Sequence, residues 1–559
     1  MPRAVLWLFC LAYLIPGYVG RDAWKGADVA ALGWMTELAN GNSQWLHPTL
    51  AGLPPDNPSL LPYWLGAWAL QWCPGWMAPD FAARIPFALL LGFILLVTWH
   101  ATYCLARTPR AQPVAFAFGG EPPPKEYASA IADGALLALI ASLGLAQPAH
   151  ETSPALVQLA CVAMLLHALA AMPWHTRMAR LVAVLAQCGM VLSGAPALAL
   201  LLSLGGVAVY FLDRSPRERD TYSSAPTGQS ASLLKTGVWI AAGMVISALL
   251  AAQLHLWRWK ISIPSATWNE WNGIAQLLIW FTWPAWPLAF WTVWRWRRQL
   301  FQQNPSCHLL LPLWFVAVIT VTAIFTNEQD RTLLLALPAF AALASFALPT
   351  LKRQVAALID WFTLLFFSGC GIIIWVVWIA MQTGFPSQPS ANVARLAPGF
   401  VASFSATAFF IAMAATLVWA WLVKWRVGRH RAAIWKSLVL PAGGAALCWL
   451  LLMTLWMPLL NYAQSYNMLV KHTLERATPA TCILVQDLGA GKTAAFEFYG
   501  NVQLRQNSPS SPKECAWLIA EPGPDQAAPD QLDTSVWQLM AAVNHPTDGN
   551  ESVLLFRRR

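Results

Sequence analysis

Apolar runs long enough to cross a bilayer recur along the whole chain, and this feature limits the possible folds more than any other. A hydrocarbon core of ~30 Å is spanned by a helix of about 17–25 apolar residues. Such runs lie at 4–19, 84–106, 129–147, 154–172, 179–193, 195–212, 233–254, 273–294, 309–326, 332–350, 355–380, 401–423 and 437–458. Only Ser193-Gly194-Ala195-Pro196 separates the fifth run from the sixth. In lipid every backbone N–H and C=O needs an internal partner, so each run is expected to be helical. Of 559 residues, 57% are hydrophobic and 11% charged, against roughly 25% charged in soluble domains. That deficit excludes a large soluble enzyme, a disordered chain and a nucleic-acid binder. The expectation is a polytopic α-helical membrane protein with about 13 transmembrane helices.

The net charge of +9 is a topology signal. Tyr18-Val19-Gly20 is a poor cleavage site, so the first run reads as an uncleaved span with its N-terminus in the cytoplasm. Alternate junctions should then be rich in Lys and Arg. Arg3, Arg107, Arg110, Lys125, Arg177, Arg180, Arg214, Arg217, Arg219, Arg295, Arg297, Arg298, Lys352, Arg353, Lys424, Arg426, Arg429, Arg431 and Lys436 all fall on that side. The opposite short loops hold few, among them Arg21, Lys25, Arg258, Lys260, Arg331 and Arg395. An odd number of spans leaves the C-terminal hundred residues outside the cytoplasm.

The division expected is a membrane domain over 1–458 and a small α/β domain over 459–559. Within the first, the loop at 20–84 is rich in Trp, Pro and carboxylates. Residues 28–40 have the apolar spacing of an amphipathic helix at the membrane surface, stopped by Asn40-Gly41. A second such helix is expected over 60–71, with Tyr63, Trp64, Trp68 and Trp72 at headgroup level. The polar stretch 213–232 reads as a flexible link. In the C-terminal domain 467–476 reads as a helix, and 482–488, 516–520 and 553–556 as strands. No internal repeat is visible, which counts against repeat-built transporters. Most of the ten Cys lie inside spans as small apolar groups. Cys482 and Cys515 begin two expected strands and are either a disulfide or two unlinked thiols.

Carboxylates are scarce, and Asp22, Asp28, Glu37 and Asp56 share the first loop. Ordinary solvation of a loop is one reading. Asp22, close to the end of the first span, is also where a base or metal ligand would meet a lipid-borne substrate. Lys25 is three residues on: either a surface ion-pair partner or a cation for a phosphate. Asp56 sits in a Pro-stiffened turn. His150-Glu151 stands in a short outside loop and is a lesser candidate for the same cavity. His167 reads as a histidine packed within the bundle, and Asp133 and Asp360 as solvated span ends. Gly489-Ala490-Gly491-Lys492-Thr493 imitates a phosphate loop but has Gln486 rather than the required upstream Gly.

The first loop reads Asp22-Ala23-Trp24-Lys25-Gly26-Ala27-Asp28, then Pro55-Asp56-Asn57-Pro58-Ser59-Leu60-Leu61-Pro62-Tyr63-Trp64, then Ala83-Arg84-Ile85-Pro86, and Asp330-Arg331 opens a late span. This resembles the bacterial lipid A aminoarabinose transferases and, more distantly, the protein O-mannosyltransferases. Their loop opens Asp-Glu-x-Arg-Tyr-Ala-Glu, runs through Phe-Glu-Lys-Pro-Pro-Leu-x-Tyr-Trp and closes on Ala-Arg-x-Pro. The resemblance implies a C-type glycosyltransferase architecture and a polyprenyl-phosphate-linked sugar donor. It also implies a lipid or glycolipid acceptor, with transfer inverting the anomeric centre. Asp22 and Asp56 are the catalytic positions it implies, Asp56 matching a Glu that can ligate a divalent metal. Lys25, Asp28, Asn57, Arg84 and Arg331 are the implied substrate-binding positions. Ala23 and Asn57 depart from the pattern, replacing a Glu and a phosphate-binding Lys, with Arg258 or Lys260 as possible substitutes for the lost cation. The expected protein is a monomer among membrane lipids. A transporter or flippase of a lipid-linked sugar, or a weakened family member acting as a scaffold, are the competing readings.

Overall fold

Proline and glycine set most of the breaks between helices. The structure is a computed structural model describing residues 1–55, 57–113, 122–212, 227–257, 261–265, 267–300, 306–427, 434–478, 482–507, 515–523, 532–533 and 535–559. The helices before the long polar segment are α1 (Arg3–Leu14), α2 (Ala27–Ala39), α3 (Leu61–Gln71), α4 (Pro79–Ala106), α5 (Pro124–Ala141), α6 (Pro154–Ala171), α7 (Thr176–Leu192) and α8 (Pro196–Leu212). After it come α9 (Thr227–Gln253), α10 (Trp268–Phe281), α11 (Ala285–Leu300), α12 (Cys307–Ile324), α13 (Gln329–Leu334), α14 (Leu337–Ala347), α15 (Arg353–Thr383), α16 (Ser387–Leu396), α17 (Ala406–Val427), α18 (Val439–Leu455), α19 (Met457–Gln464), α20 (Asn467–Arg476) and α21 (Ala490–Gly500). Pro opens α4, α5, α6 and α8, where its fixed φ suits the first turn and its missing N–H costs nothing. The break between α7 and α8 turns on Gly194, whose φ is +89° and whose added Cβ would lie 2.7 Å from Asn57 Oδ1.

Helical structure lies at every expected run, but the count of about 13 spans is not reached by length. Among the described residues seven helices are long and apolar enough to cross a membrane, and an eighth if α5 and the bent segment Leu143–His150 form one span. The run at 273–294 is split into α10 and α11, and that at 332–350 into α13 and α14. α1, α8 and Leu337–Thr350 are apolar but shorter. Of the expected link at 213–232, residues 213–226 lie outside the described residues, and the chain is helical from Thr227. Arg258 and Lys260 also lie outside them.

Two charged residues read as solvated are paired instead. Asp133 is 1% exposed, accepts from Trp99 Nε1 at 2.9 Å and faces Arg3 at 3.5 Å. Asp360 on α15 pairs with Arg426 on α17 at 2.6 Å. Within tightly packed helices a carboxylate is met by a partner from a neighbouring segment, for Asp133 above all the N-terminal ammonium of Met1 at 2.6 Å.

The first loop departs from the interfacial picture. α2 and α3 form where the spacing predicts them, yet α2 buries almost its whole surface, from Asp28 through Met35 to Leu38. It is packed between α3 and α21 of the C-terminal region. α3 keeps the expected surface, with Trp68 and Trp72 exposed while Tyr63 is buried.

The C-terminal sheet comprises β1 (Cys482–Gln486), β2 (Gln503–Gln506), β3 (Trp517–Ala520), β4 (Trp537–His545) and β5 (Asp548–Arg558), in the order β2-β1-β3-β5-β4. β1 runs parallel to β2 and β3, while β5 is antiparallel to β3 and β4. β2 and β4 were absent from the sequence reading because they are edge strands with largely exposed side chains. Lys492 is buried, paired with Glu551 at 2.9 Å and with Glu521, which also accepts from the Gly489 N–H at 3.1 Å. A carboxylate thus takes the place a phosphate holds in a true phosphate loop, in keeping with the sequence reading.

Cys482 and Cys515 are joined as a disulfide across 33 positions. Closing a loop of that length stabilises by about 3–4 kcal/mol on the chain-entropy account. Replacing both with Ser is expected to lower the unfolding temperature of the full chain, with protease cleavage appearing first between β1 and β3. An unchanged temperature and cleavage pattern would contradict this.

Glu497 on α21 is half-buried, and burial, then the charge of Glu37 on α2, push its carboxyl from the ordinary 4.5 up to about 8. The folded chain therefore holds a proton that the unfolded chain has released between those values. Stability is full below pH 4.5 and is lost as pH rises through about 8. Glu497→Gln should raise the unfolding temperature by a few degrees at pH 8.5 and change little at pH 4. Equal shifts at both pH values would refute the assignment.

Candidate functional site

The chain leaving α1 passes through residues 17–28, where a turn rich in charge is built into the protein interior. Arg21 is 1% exposed. Its guanidinium donates to Asp28 Oδ2 at 2.8 Å and to the His150 carbonyl at 2.9 Å, and lies over the Trp24 ring at 4.1 Å. Asp28 takes four donors: Arg21, the Trp24 N–H at 3.2 Å, and the Thr152 N–H and hydroxyl at 2.8 and 2.7 Å. Burial alone would raise the Asp28 carboxyl, but Arg21, Arg84 and the Thr152 donors together hold it below its usual range. With every lone pair engaged, Asp28 is a structural hub that shapes the turn rather than a group open to substrate.

Asp22 stands at the surface of this hub. Its N–H donates to Asn461 Oδ1 at 3.1 Å, and the neighbouring Ala23 N–H donates to the Tyr499 hydroxyl at 3.1 Å. Asn461 also donates to the Gly20 carbonyl at 3.0 Å and accepts from Trp24 Nε1 at 3.0 Å. The backbone on both sides of Asp22 is thereby fixed by α19 and α21. Burial pushes the Asp22 carboxyl up from its ordinary range, opposed by hydrogen bonds from Ser465 and Asn467 and by the charge of Arg84. A half-buried carboxyl with a raised proton affinity, held on a rigid turn, is equipped to accept a proton.

Arg84 is the cation beside it. It is 3% exposed, pairs with Asp80 at 3.3 Å and donates to the Arg21 carbonyl. Its Nη2 is buried and, among the described residues, has no partner. Of the residues singled out by sequence, the structure brings Asp22, Asp28 and Arg84 together. Lys25 is turned away, with its ammonium paired to Asp548 at 3.1 Å; a carboxylate of the C-terminal sheet occupies the cation expected to hold a phosphate. Arg331 pairs with Glu151 at 3.1 Å. Burial holds the Glu151 carboxyl above its ordinary range although Arg331 lies beside it. Because Glu151 adjoins Thr152, the donor to Asp28, Arg331 is tied to the hub through one short loop. Asn57 rests against the α7–α8 break. Asp56, on which the metal expectation rests, lies outside the described residues. His150 is packed between Tyr18 and Trp449, at ring separations of 5.0 and 4.7 Å.

Among solved structures, ArnT from Cupriavidus metallidurans bound to undecaprenyl phosphate aligns over 100% of this chain and 98% of its own, with a TM-score of 0.61 and 15% identity. The apo state of the same ArnT aligns over 99% and 98%, with a TM-score of 0.60 and 14% identity. The fold is that of ArnT. No family model and no curated protein sequence matches the chain.

Within this ArnT-like fold, sequence reasoning missed Arg21, Thr152, Asn461 and Tyr499. Arg21 carried a usable signal: a basic residue in an outside loop, against the prevailing charge bias, has another task. Asn461 and Tyr499 carried none, since each lies more than 400 positions from the residue it holds.

Proposed function

We propose that this protein transfers a sugar, a hexosyl or pentosyl unit, from a polyprenyl-phosphate carrier to a lipid or glycolipid acceptor of the lipid A kind. The observation that carries the reading is Asp22 with Arg84 beside it, on a rigid turn, in a chain that follows the ArnT fold from end to end. The undecaprenyl phosphate bound to the Cupriavidus metallidurans ArnT supports a polyprenyl-phosphate donor here. In the reaction, the acceptor hydroxyl gives its proton to the Asp22 carboxylate as its oxygen forms a bond to the anomeric carbon. The anomeric carbon–oxygen bond breaks with inversion, and the polyprenyl phosphate leaves with the electron pair. The Nη2 of Arg84, without a partner among the described residues, is the donor assigned to that phosphate, with Arg331 as a second cation further along the same network. An apolar cavity of about 340 Å³ between α10, α11, α12 and α14, with Trp286, Phe290 and Phe340 in its wall, suits a prenyl chain.

The chemistry is assigned to the periplasmic face of the inner membrane, with the N-terminus cytoplasmic, residues 1–458 as the membrane domain and 459–559 as a periplasmic domain. The Cys482–Cys515 disulfide supports that side, since such bonds persist in oxidising compartments. The test is the full chain, reconstituted with a polyprenyl-phosphate sugar and a lipid acceptor, with products read by mass spectrometry. A glycolipid heavier by one sugar, formed only with the chain present, is expected. Movement of the donor across the vesicle with no glycosidic product would overturn the reading in favour of a flippase. Loss of product on adding a chelator would support a divalent ion at Asp56.

A further inference from the structure

Away from this site, the end of α4 that leads into Arg107 and the neighbouring α6 bring together three metal-ligating side chains that nothing above uses. His100 and Cys104 are one turn apart on α4 and so share a face. His167 comes from α6, which packs closely along α4. His100 Nδ1 lies 3.4 Å from His167 Nδ1 and 3.8 Å from Cys104 Sγ, and all three donor atoms fall within 4.8 Å of one another. Around a tetrahedral ion with metal–nitrogen bonds of about 2.05 Å and a metal–sulfur bond of about 2.3 Å, neighbouring donors stand about 3.3 to 3.6 Å apart. Both distances from His100 Nδ1 come within a few tenths of an ångström of that pattern, and the thiol and His167, no more than 4.8 Å apart, need only a small approach to complete it. The donors are also held in place. Cys104 is buried, its carbonyl accepts from Trp174 Nε1 at 3.2 Å, and the His100 ring lies 4.7 Å from that of His167, nearly perpendicular to it.

We propose that His100, Cys104 and His167 bind a transition-metal ion of the zinc class, clamping α4 to α6. One thiolate and two imidazoles form a donor set that prefers Zn²⁺ to the hard cations Mg²⁺ and Ca²⁺. Hydrogen bonds account for each contact to His100 taken singly, and a bound ion accounts for the gathering of one thiol and two imidazoles from two helices around one point. The clamp is independent of sugar transfer, so its failure and the failure of the glycosyltransferase reading are separate results.

The test is titration of the full chain, purified in detergent and stripped with a chelator, with Co²⁺ as a spectroscopic probe and Zn²⁺ as competitor. One ion per chain is expected, with a near-ultraviolet thiolate-to-cobalt charge-transfer band that Zn²⁺ abolishes. Cys104→Ser should remove that band while weaker binding persists. His167→Ala should weaken binding beyond the roughly 10–100-fold typical of losing a merely supporting group. Zn²⁺ should raise the unfolding temperature of the wild-type chain and not that of Cys104→Ser. Wild-type chain that binds no Co²⁺, or a cobalt spectrum unchanged in Cys104→Ser, overturns the proposal. The wild-type arm decides even where a variant fails to fold.

Discussion

Asp22→Asn will lower sugar transfer by about 10²–10⁴-fold, the usual contribution of a positioned general base, and will leave the unfolding temperature of the protein almost unchanged. The amide has the same shape and keeps one acceptor oxygen toward Ser465 and Asn467, but it cannot take the proton of an attacking hydroxyl. Among the described residues Asp22 has no ion pair to lose, so the substitution strands no charge. Its pH dependence gives a second check. The carboxyl is raised above the ordinary 3.8, and a base must be ionised. Wild-type rate should therefore fall, as pH is lowered, at a higher pH than an ordinary aspartate would give. The residual activity of the variant should lack that limb. Activity within tenfold of wild type, with the acid limb intact, would remove Asp22 from the chemistry.

Asp28→Ala is expected to act in the opposite manner, through stability. It leaves the Arg21 guanidinium, whose side chain is fully shielded, without its counter-ion, and it strands the Thr152 donors. Breaking a buried pair in this way costs about 3–5 kcal/mol, because the remaining charge is unsolvated. The unfolding temperature should drop sharply, and transfer should disappear with the fold of the first loop. Arg21→Met combined with Asp28→Leu should recover part of the lost temperature, since an apolar pair strands no charge. A variant Asp28→Ala that unfolds like wild type yet transfers no sugar would instead make Asp28 a substrate ligand, as the resemblance had implied.

The contrast between these two aspartates shows how far the sequence could be read. They lie six residues apart in one motif and looked alike as candidates. Asp22 is distinguished by its place just after the first apolar run, which hydropathy alone locates. Asp28 is distinguished by Thr152, 124 positions away, and no local pattern announces that partner. Lys25 gives the same lesson, since its position predicts a cation near a phosphate and its ammonium pairs with Asp548, 523 positions on. His167, read as a packed histidine, gains its meaning only from the two donors that α4 sets beside it.

What the sequence by itself determined was where the apolar helical runs lie, the positions of α2, α3 and α20, and the two cysteines that could pair. These follow from local physics: a lipid solvent demands helices, apolar spacing sets their faces, and Gly and Pro end them. Tertiary structure alone decided which charge meets which, that α2 is enclosed rather than lying on a membrane surface, and that the C-terminal region closes over the first loop through Tyr499 and Asp548. The reason is that a buried charge takes whichever partner packing brings within about 3 Å, and in this chain packing joins segments hundreds of residues apart.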